Sequence, residues 1–231
     1  MKKVQLPVSL LPREITWGIR YLLFQLVFLG AVLSLLLKLL GLSTDGLVLD
    51  TAYFIVNLGA VVWIFRSYLW RSIRYGISHW AKLLIAAALG FAVYYALTRS
   101  LDILIYWLQP DFYNVNDAGF AEYSRTHFLL TALGAVILVP LAEETLYRGL
   151  IFGLLQSKSR LLAYTLSTVC FAFIHVMGYI GSYSPAVLLL CFLQYIPAGI
   201  VLAGAYEYSG SILAPAVIHT AVNAIAIFSM R

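Results

Sequence analysis

The chain has 231 residues, of which 62% are hydrophobic and 11% charged, and its formal net charge is +5. Its mean hydropathy of +0.91 excludes an ordinary soluble domain and predicts a protein that crosses the membrane several times. The basic surplus fits contact with the anionic headgroups of a lipid bilayer, and the sequence has no patch of basic and aromatic residues. We therefore predict no nucleic-acid partner.

Apolar runs of about 20 residues, the length that crosses a bilayer, recur along the chain. They predict an all-α bundle of about seven transmembrane helices, at residues 21–40, 47–65, 82–98, 127–147, 161–180, 185–205 and 212–230. The apolar stretch 101–108 is too short to cross alone. It extends the third helix, lies in the interface, or pairs with residues 119–128 as an eighth element, and the sequence leaves these alternatives open.

Basic residues are distributed unequally between the two sides of the predicted bundle. Those before span one and after spans two and four are Lys2, Lys3, Arg13, Arg20, Arg66, Arg71, Arg74, Lys82, Arg148, Lys158 and Arg160. The opposite loops carry Asp45, Asp50, Asp102, Asp111, Asp117 and Glu122, with Lys38, Arg99, Arg125 and Arg231 as their basic residues. The positive-inside rule then predicts a cytoplasmic N-terminus. The first span lacks a small-residue cleavage site, so we expect it to remain as a membrane anchor.

A polar connection at residues 109–126 divides the chain into two parts. Residues 1–126 are predicted to form the N-terminal transmembrane helices and an extracytoplasmic loop, with almost no buried ionisable group. Residues 127–231 form the second part, which holds nearly all the polar groups inside apolar runs, so we expect the chemistry there. Cys170 and Cys191 fall inside apolar runs and are predicted to pack as small apolar side chains.

The first polar motif, Glu143, Glu144 and Arg148, stands at the end of a long apolar run. Glu144 and Arg148 are four residues apart and share a helix face, which permits an ion pair. Glu143 points about 100° away and is free for another partner. One interpretation is a cytoplasmic helix end whose charges extend into water. The other is a buried carboxylate pair in which one member is a general base.

Two later apolar runs each carry one histidine. His175 shares a helix face with Phe171, whose ring could restrict the imidazole, and His219 shares a face with Asn223. Singly, each of these polar groups fits a structural hydrogen bond between helices or a proton relay. Pro215, one turn before His219, is expected to free a backbone carbonyl and to allow a kink beside a polar pocket.

Together these side chains are the kinds of group that hydrolysis needs. Glutamate can deprotonate water, histidine can assist or bind the attacked oxygen, asparagine can donate to an oxyanion, and arginine can hold a second glutamate. Glu143, His175 and His219 could equally bind a divalent metal such as zinc. The residues alone do not choose between these mechanisms, and no H-E-x-x-H pair is present.

The three motifs together resemble the CAAX protease and bacteriocin-processing family of intramembrane proteases, also called the Abi family, which includes the type II CAAX prenyl endopeptidases. The pattern of that family is EExxxR, then FxxxH, then HxxxN. It occurs here in order as Glu143-Glu144-x-x-x-Arg148, Phe171-x-x-x-His175 and His219-x-x-x-Asn223. The resemblance covers residues 134–223.

The resemblance implies an all-helical membrane endopeptidase whose site opens to the membrane interior and the cytoplasm. It implies that Glu143 activates water together with His175, and that His219 and Asn223 stabilise the oxyanion. Glu144 and Arg148 would orient the helix end and tune Glu143. The family is described both as metalloproteases and as glutamate-dependent enzymes, which leaves zinc open.

The resemblance also implies a membrane-associated peptide or protein substrate, either prenylated and CAAX-type or bacteriocin-like. The compact size of the chain favours a bacterial cell membrane. Two other classes remain open. One is a non-enzymatic immunity or binding protein whose polar motifs are structural, and the other is a haem or ion transporter that uses its histidines as ligands or relays.

Overall fold

The structure is a computed structural model that describes residues 6–229, apart from the side chain of Thr126. Within these residues every regular element is a helix. The helices are α1 Pro12–Leu39, α2 Gly46–Ser78, α3 Trp80–Leu108, α4 (115–126), α5 His127–Leu155, α6 Arg160–Met177, α7 Pro185–Ser209 and α8 Leu213–Ser229. The predicted all-α fold is confirmed.

Six of these helices, all except α4 and α8, are long and apolar enough to cross a membrane. The apolar helix α8 is shorter, with 17 residues, and with it each predicted span corresponds to a helix. The predicted count of about seven is therefore close. Residues 101–108 continue α3, so the first of the three alternatives for this stretch is correct.

The predicted polar connection at residues 109–126 is largely helical. Helix α4 begins after Asn114, whose Oδ1 accepts hydrogen bonds from the backbone N–H groups of Asn116 (3.0 Å) and Asp117 (3.3 Å). This is the capping that an asparagine provides at a helix start. At His127 the backbone leaves helical geometry, with φ −136° and ψ 48°, and α5 continues from this kink into the bundle.

Helix α5 is widened at two places. It contains π-helical turns at Leu133–Leu138 and Thr145–Phe152, and the short α-helical segment Val139–Glu144 between them carries both glutamates. π turns are rare and recur at functional sites. The two turns therefore flank the two glutamates of the first sequence motif, and Arg148 lies inside the second turn.

Pro215 does not kink its helix. Helix α8 begins at Leu213, so Pro215 lies in the first turn, where the backbone N–H that proline lacks has no helical partner in any case. The expectation of a proline kink beside His219 is wrong for this reason. Prolines in helix interiors are Pro140, in α5 just after the first π turn, and Pro197, in α7.

Short connections make neighbouring helices antiparallel, so the helix ends form two groups. One end of the bundle contains the connections α2/α3, α5/α6 and α7/α8, and the other contains α1/α2, α3/α4 and α6/α7.

Three of the charges used to predict orientation, Lys2, Lys3 and Arg231, lie outside the described residues. Arg148 was assigned to a cytoplasmic loop, and this is wrong because its side chain is fully buried inside α5.

Residues 1–126 were expected to bury almost no ionisable group, and Glu14 contradicts this. Its side chain is 0% exposed. Its carboxylate accepts hydrogen bonds from the backbone N–H groups of Tyr68 and Leu11, both at 2.7 Å, and lies 3.4 Å from Arg71. These donors replace water, which allows a carboxylate to be buried.

The apolar core lies around α5. Phe65 and Tyr68 of α2 pack against Leu146 of α5 on one side. On the other side, Phe171 of α6 and Ile218 of α8 form a second cluster with α3 and α7. These clusters place the three sequence motifs in the interior of the bundle.

A pair of buried serines joins α2 to the start of α8. Ser72 Oγ accepts a hydrogen bond from the Ile212 N–H at 2.9 Å, and Ser211 Oγ donates to the Ser72 carbonyl at 2.7 Å. We expect Ser72→Ala to lower the free energy of unfolding by about 1–3 kcal/mol, because the buried N–H loses its acceptor. Thermal unfolding in lipid nanodiscs measures this. The exposed Ser78→Ala in the same helix is the control, and equal unfolding midpoints for the two variants would contradict the prediction.

Candidate active site

Glu144 forms the centre of a buried polar network. Its Oε1 accepts a hydrogen bond from Nη1 of Arg148 at 3.0 Å and lies 2.9 Å from Nδ1 of His219. Arg148 also donates from Nη2 to the Gly199 carbonyl of α7 at 3.3 Å. Glu144 and Arg148 are both 0% exposed, so the interpretation of charges that extend into water is wrong.

Close helix packing makes the contact with Gly199 possible. A Cβ atom at Gly199 would lie 2.5 Å from Cγ2 and 3.0 Å from the backbone Cα of Thr168 in α6. Small residues allow the backbones of membrane helices to approach in this way. A side chain at position 199 would push α6 and α7 apart beside the Arg148 guanidinium.

The ring of Phe171 lies where the three motifs meet. The guanidinium carbon of Arg148 is 4.2 Å from the ring centroid, and the rings of His175 and His219 are 4.7 Å and 5.7 Å away. The negative face of an aromatic ring attracts a cation. Phe171 therefore helps to stabilise the buried arginine and also forms the wall beside His175 that the sequence predicted.

The orientation of His175 is fixed by two contacts. Its Nδ1 is 2.8 Å from the Phe171 carbonyl oxygen, which can only accept. In the neutral ring Nδ1 therefore carries the hydrogen and Nε2 presents a lone pair. The imidazole also stacks on Tyr195 of α7, with 4.1 Å between ring centroids and 27° between planes.

Asn223 fastens α8 to the first π turn of α5. Its Nδ2 donates to the Ala135 carbonyl at 2.7 Å, and Thr220 Oγ1 donates to the Val136 carbonyl at 2.9 Å. Side chains of this kind re-satisfy backbone groups where a membrane helix is irregular. One of the amide hydrogens of Asn223 is thus committed to the backbone.

Glu143, unlike Glu144, is not part of the hydrogen-bond network with Arg148 and His219. Its Oε2 is buried and has no hydrogen-bond partner among the described residues. Other buried atoms without a partner lie close to it in the chain or on the facing helix α6: Glu144 Oε2, Tyr147 Oη, Arg148 Nε and Thr168 Oγ1. Natural proteins rarely leave such atoms unpaired, so their concentration here marks a site that can bind a polar ligand.

The side chains do not fit a preformed zinc site. Within residues 6–229 no three His, Cys, Asp or Glu side chains are grouped in a way that could hold a metal ion. Of the predicted ligands, His219 and His175 are each held through Nδ1, which leaves Nε2 of each ring as the atom that could bind a metal.

A cavity of about 450 Å³ lies between α3, α4 and α7. It is lined by Asp102, Ile105, Tyr106, Phe112, Tyr113, Asn114, Asp117, Ala118, Ala121 and Gln194. Tyr195 connects it to the motifs, because its hydroxyl donates to Asp117 at 3.1 Å while its ring stacks on His175. Burial raises the pKa of the Asp117 carboxyl, and the negative charge of Asp102 raises it further. The sequence did not predict this cavity, because its acidic residues were interpreted only as loop charges.

The second half of the chain matches a known protein family. Residues 125–225 match the model of the family described as Type II CAAX prenyl endopeptidase Rce1-like. This segment is similar to the Rce1-like family. The match contains all three motifs and confirms the resemblance inferred from them, whereas α1 to α3 lie outside it. No curated protein and no solved structure matches the chain.

The network predicts that the two adjacent glutamates contribute differently to stability. Glu144→Gln should lower the free energy of unfolding by about 3–5 kcal/mol, because it leaves the buried Arg148 without a counter-charge. Glu143→Gln should leave it nearly unchanged, because Glu143 Oε2 has no partner to lose. Thermal unfolding of both variants in nanodiscs measures this, and a larger loss for Glu143→Gln would contradict the assignment.

Proposed function

We propose that the protein is an intramembrane endopeptidase in which Glu143 activates water to hydrolyse a peptide bond. The observation that carries this proposal is the difference between the two glutamates. Each glutamate keeps a buried Oε2 without a partner among the described residues, but Glu144 is committed through Oε1 to Arg148 and His219, whereas Glu143 takes no part in that network. A general base needs such a free lone pair. The Rce1-like match supports a CAAX-type endopeptidase.

The first step is the attack of water on the scissile carbonyl. Glu143 takes a proton from the water, the water oxygen bonds to the carbonyl carbon, and negative charge passes to the carbonyl oxygen. The Nε2 lone pair of His175 is available to accept the second hydrogen of the water, because the hydrogen bond to Phe171 holds the ring hydrogen on Nδ1.

The negative oxygen then needs hydrogen-bond donors that are already in place. His219 is held through Nδ1 by Glu144, which leaves Nε2 to donate from the imidazolium form. The second amide hydrogen of Asn223 is the other proposed donor. When the C–N bond breaks, Glu143 returns its proton to the departing amine, and its carboxylate is restored.

We further propose a membrane-associated substrate of the prenylated CAAX or bacteriocin type, in a bacterial cell membrane with a cytoplasmic N-terminus. Apolar side chains are exposed on the outer faces of the long helices, so the lipid bilayer is the medium that surrounds the bundle. A substrate anchored in this bilayer would reach the site by lateral diffusion.

The first test is peptide release by purified protein in nanodiscs, with a peptide pool that includes farnesylated C-terminal CAAX peptides and bacteriocin-like peptides. We expect cleavage by the wild type and a loss of about 10²–10⁴-fold in Glu143→Gln, the usual effect of removing a general base. Glu122→Gln, at an exposed carboxylate of α4, is the control and should retain the wild-type rate. Mass spectrometry identifies the products.

Equal rates for wild type and Glu143→Gln would contradict the proposed base. If neither cleaves any peptide while both are folded, the result favours a non-enzymatic binding protein. A chelator tests separately whether the protein needs a metal, because loss of cleavage that added zinc restores would establish a metal requirement.

A further inference from the structure

Tyr147 is buried without a partner for its hydroxyl. The side chain is 1% exposed, and its ring packs edge-on against Phe171 with 5.8 Å between centroids. Its backbone carbonyl accepts a hydrogen bond from Ser167 Oγ at 2.8 Å. The hydroxyl itself has no hydrogen-bond partner in the described part of the chain. An unpaired hydroxyl in an apolar interior is unfavourable, so phenylalanine would satisfy the same packing at lower cost.

The hydroxyl lies near the proposed base. Tyr147 follows Glu143 by one helical turn, and the charge of Glu143 acts on the hydroxyls of both Tyr147 and Tyr53. Glu143 Oε2 is also buried without a partner. One of these groups accepts hydrogen bonds and the other can donate, yet they do not bond to each other. A water molecule between them, which needs two to four polar partners in a protein interior, would satisfy both.

A second hydroxyl faces the same region from the part of the chain outside the Rce1-like match. Tyr53 of α2 accepts a hydrogen bond from Nε2 of Gln25 at 2.8 Å, which leaves the hydroxyl hydrogen of Tyr53 free to donate. Gln25 is buried at the first position of a π turn in α1, Gln25–Leu29. The surroundings of Glu143 are therefore polar on the side of α1 and α2 as well.

We propose that Tyr147 is a catalytic residue whose hydroxyl donates a hydrogen bond to the water that Glu143 deprotonates. This inference rests on the proposed function. The hydrogen bond occupies one lone pair of the water and directs the other toward the scissile carbonyl. Tyr147 keeps its proton throughout. The water proton passes to Glu143, the water oxygen bonds to the carbonyl carbon, and the hydrogen bond from Tyr147 stays on that oxygen in the tetrahedral intermediate.

Tyr147→Phe tests the proposal with two readouts, peptide cleavage and thermal unfolding in nanodiscs. We expect kcat to fall by about 100-fold, as when one preorganised donor is removed from a reacting group. KM should stay unchanged, because the hydroxyl contacts the water and not the substrate. The unfolding midpoint should stay equal or rise, because the lost hydroxyl had no partner.

Tyr206→Phe is the matched control. This tyrosine is equally buried, but its hydroxyl pairs with that of Tyr68 at 2.8 Å. Its variant should show the opposite pattern, a lower unfolding midpoint with unchanged kcat. Together the two variants separate a hydroxyl that serves catalysis from one that serves stability.

Three results would overturn the inference, and they can be told apart. A wild-type kcat in Tyr147→Phe overturns the role of the hydroxyl and leaves the proposed function intact. A lower midpoint in Tyr147→Phe, matching that of Tyr206→Phe, shows that the hydroxyl is structural. The absence of cleavage by folded wild type overturns the proposed function and this inference together.

Discussion

One carboxylate oxygen, Oε1 of Glu144, holds the polar site together. It receives Arg148 from its own helix and His219 from α8, and Arg148 reaches on to α7. Inside a membrane bundle a charge is tolerated when other groups replace its hydration. Each motif therefore lowers the burial cost of another, which explains physically why the three occur together. Because Glu144 supplies the counter-charge of Arg148, the Glu143 carboxylate remains available for another partner.

The site also shows where the fold accepts a loss of stability. The buried polar atoms that lack a partner in residues 6–229 are concentrated in the segment from Glu143 to Arg148 and on Thr168 opposite it. Outside this region only Gln25 Oε1 and Ser124 Oγ are buried without a partner in residues 6–229, and the buried Glu14 carboxylate accepts hydrogen bonds from two backbone N–H groups. Local departures from full pairing are expected where a protein has to receive a ligand or a reacting group. The pattern of unpaired atoms thus distinguishes the candidate site from the paired scaffold within a single helix.

The sequence predicted what depends on periodicity and missed what depends on distant contacts. Helical spacing correctly placed Arg148 with Glu144 and Phe171 beside His175. It gave no sign that His219 would contact Glu144, 75 residues away, or that Asn223 would bond a backbone carbonyl of α5. Glu14 was missed because it stands in a polar stretch, and its burial depends on the later helix α2. The amino-acid composition of the π turns does not distinguish them from an α-helix. Gln25 lies in such a turn, so its hydrogen bond with Tyr53 of α2 could not be predicted either.

Because of its π turns, α5 needs an exact number of residues to hold the side chains of the site in place. A π turn contains one residue more than the α-helical turn it replaces, and each residue of an α-helix rotates the following side chains by about 100°. Loss of a single residue from Leu133–Leu138 would keep every motif in the sequence and yet rotate the two glutamates relative to the α8 contact made at Ala135. Insertions and deletions in α5 therefore affect the geometry of the candidate site directly, unlike those in surface loops. Relatives that keep the glutamates but change the number of residues between the kink at His127 and Glu143 would need a different arrangement of α8.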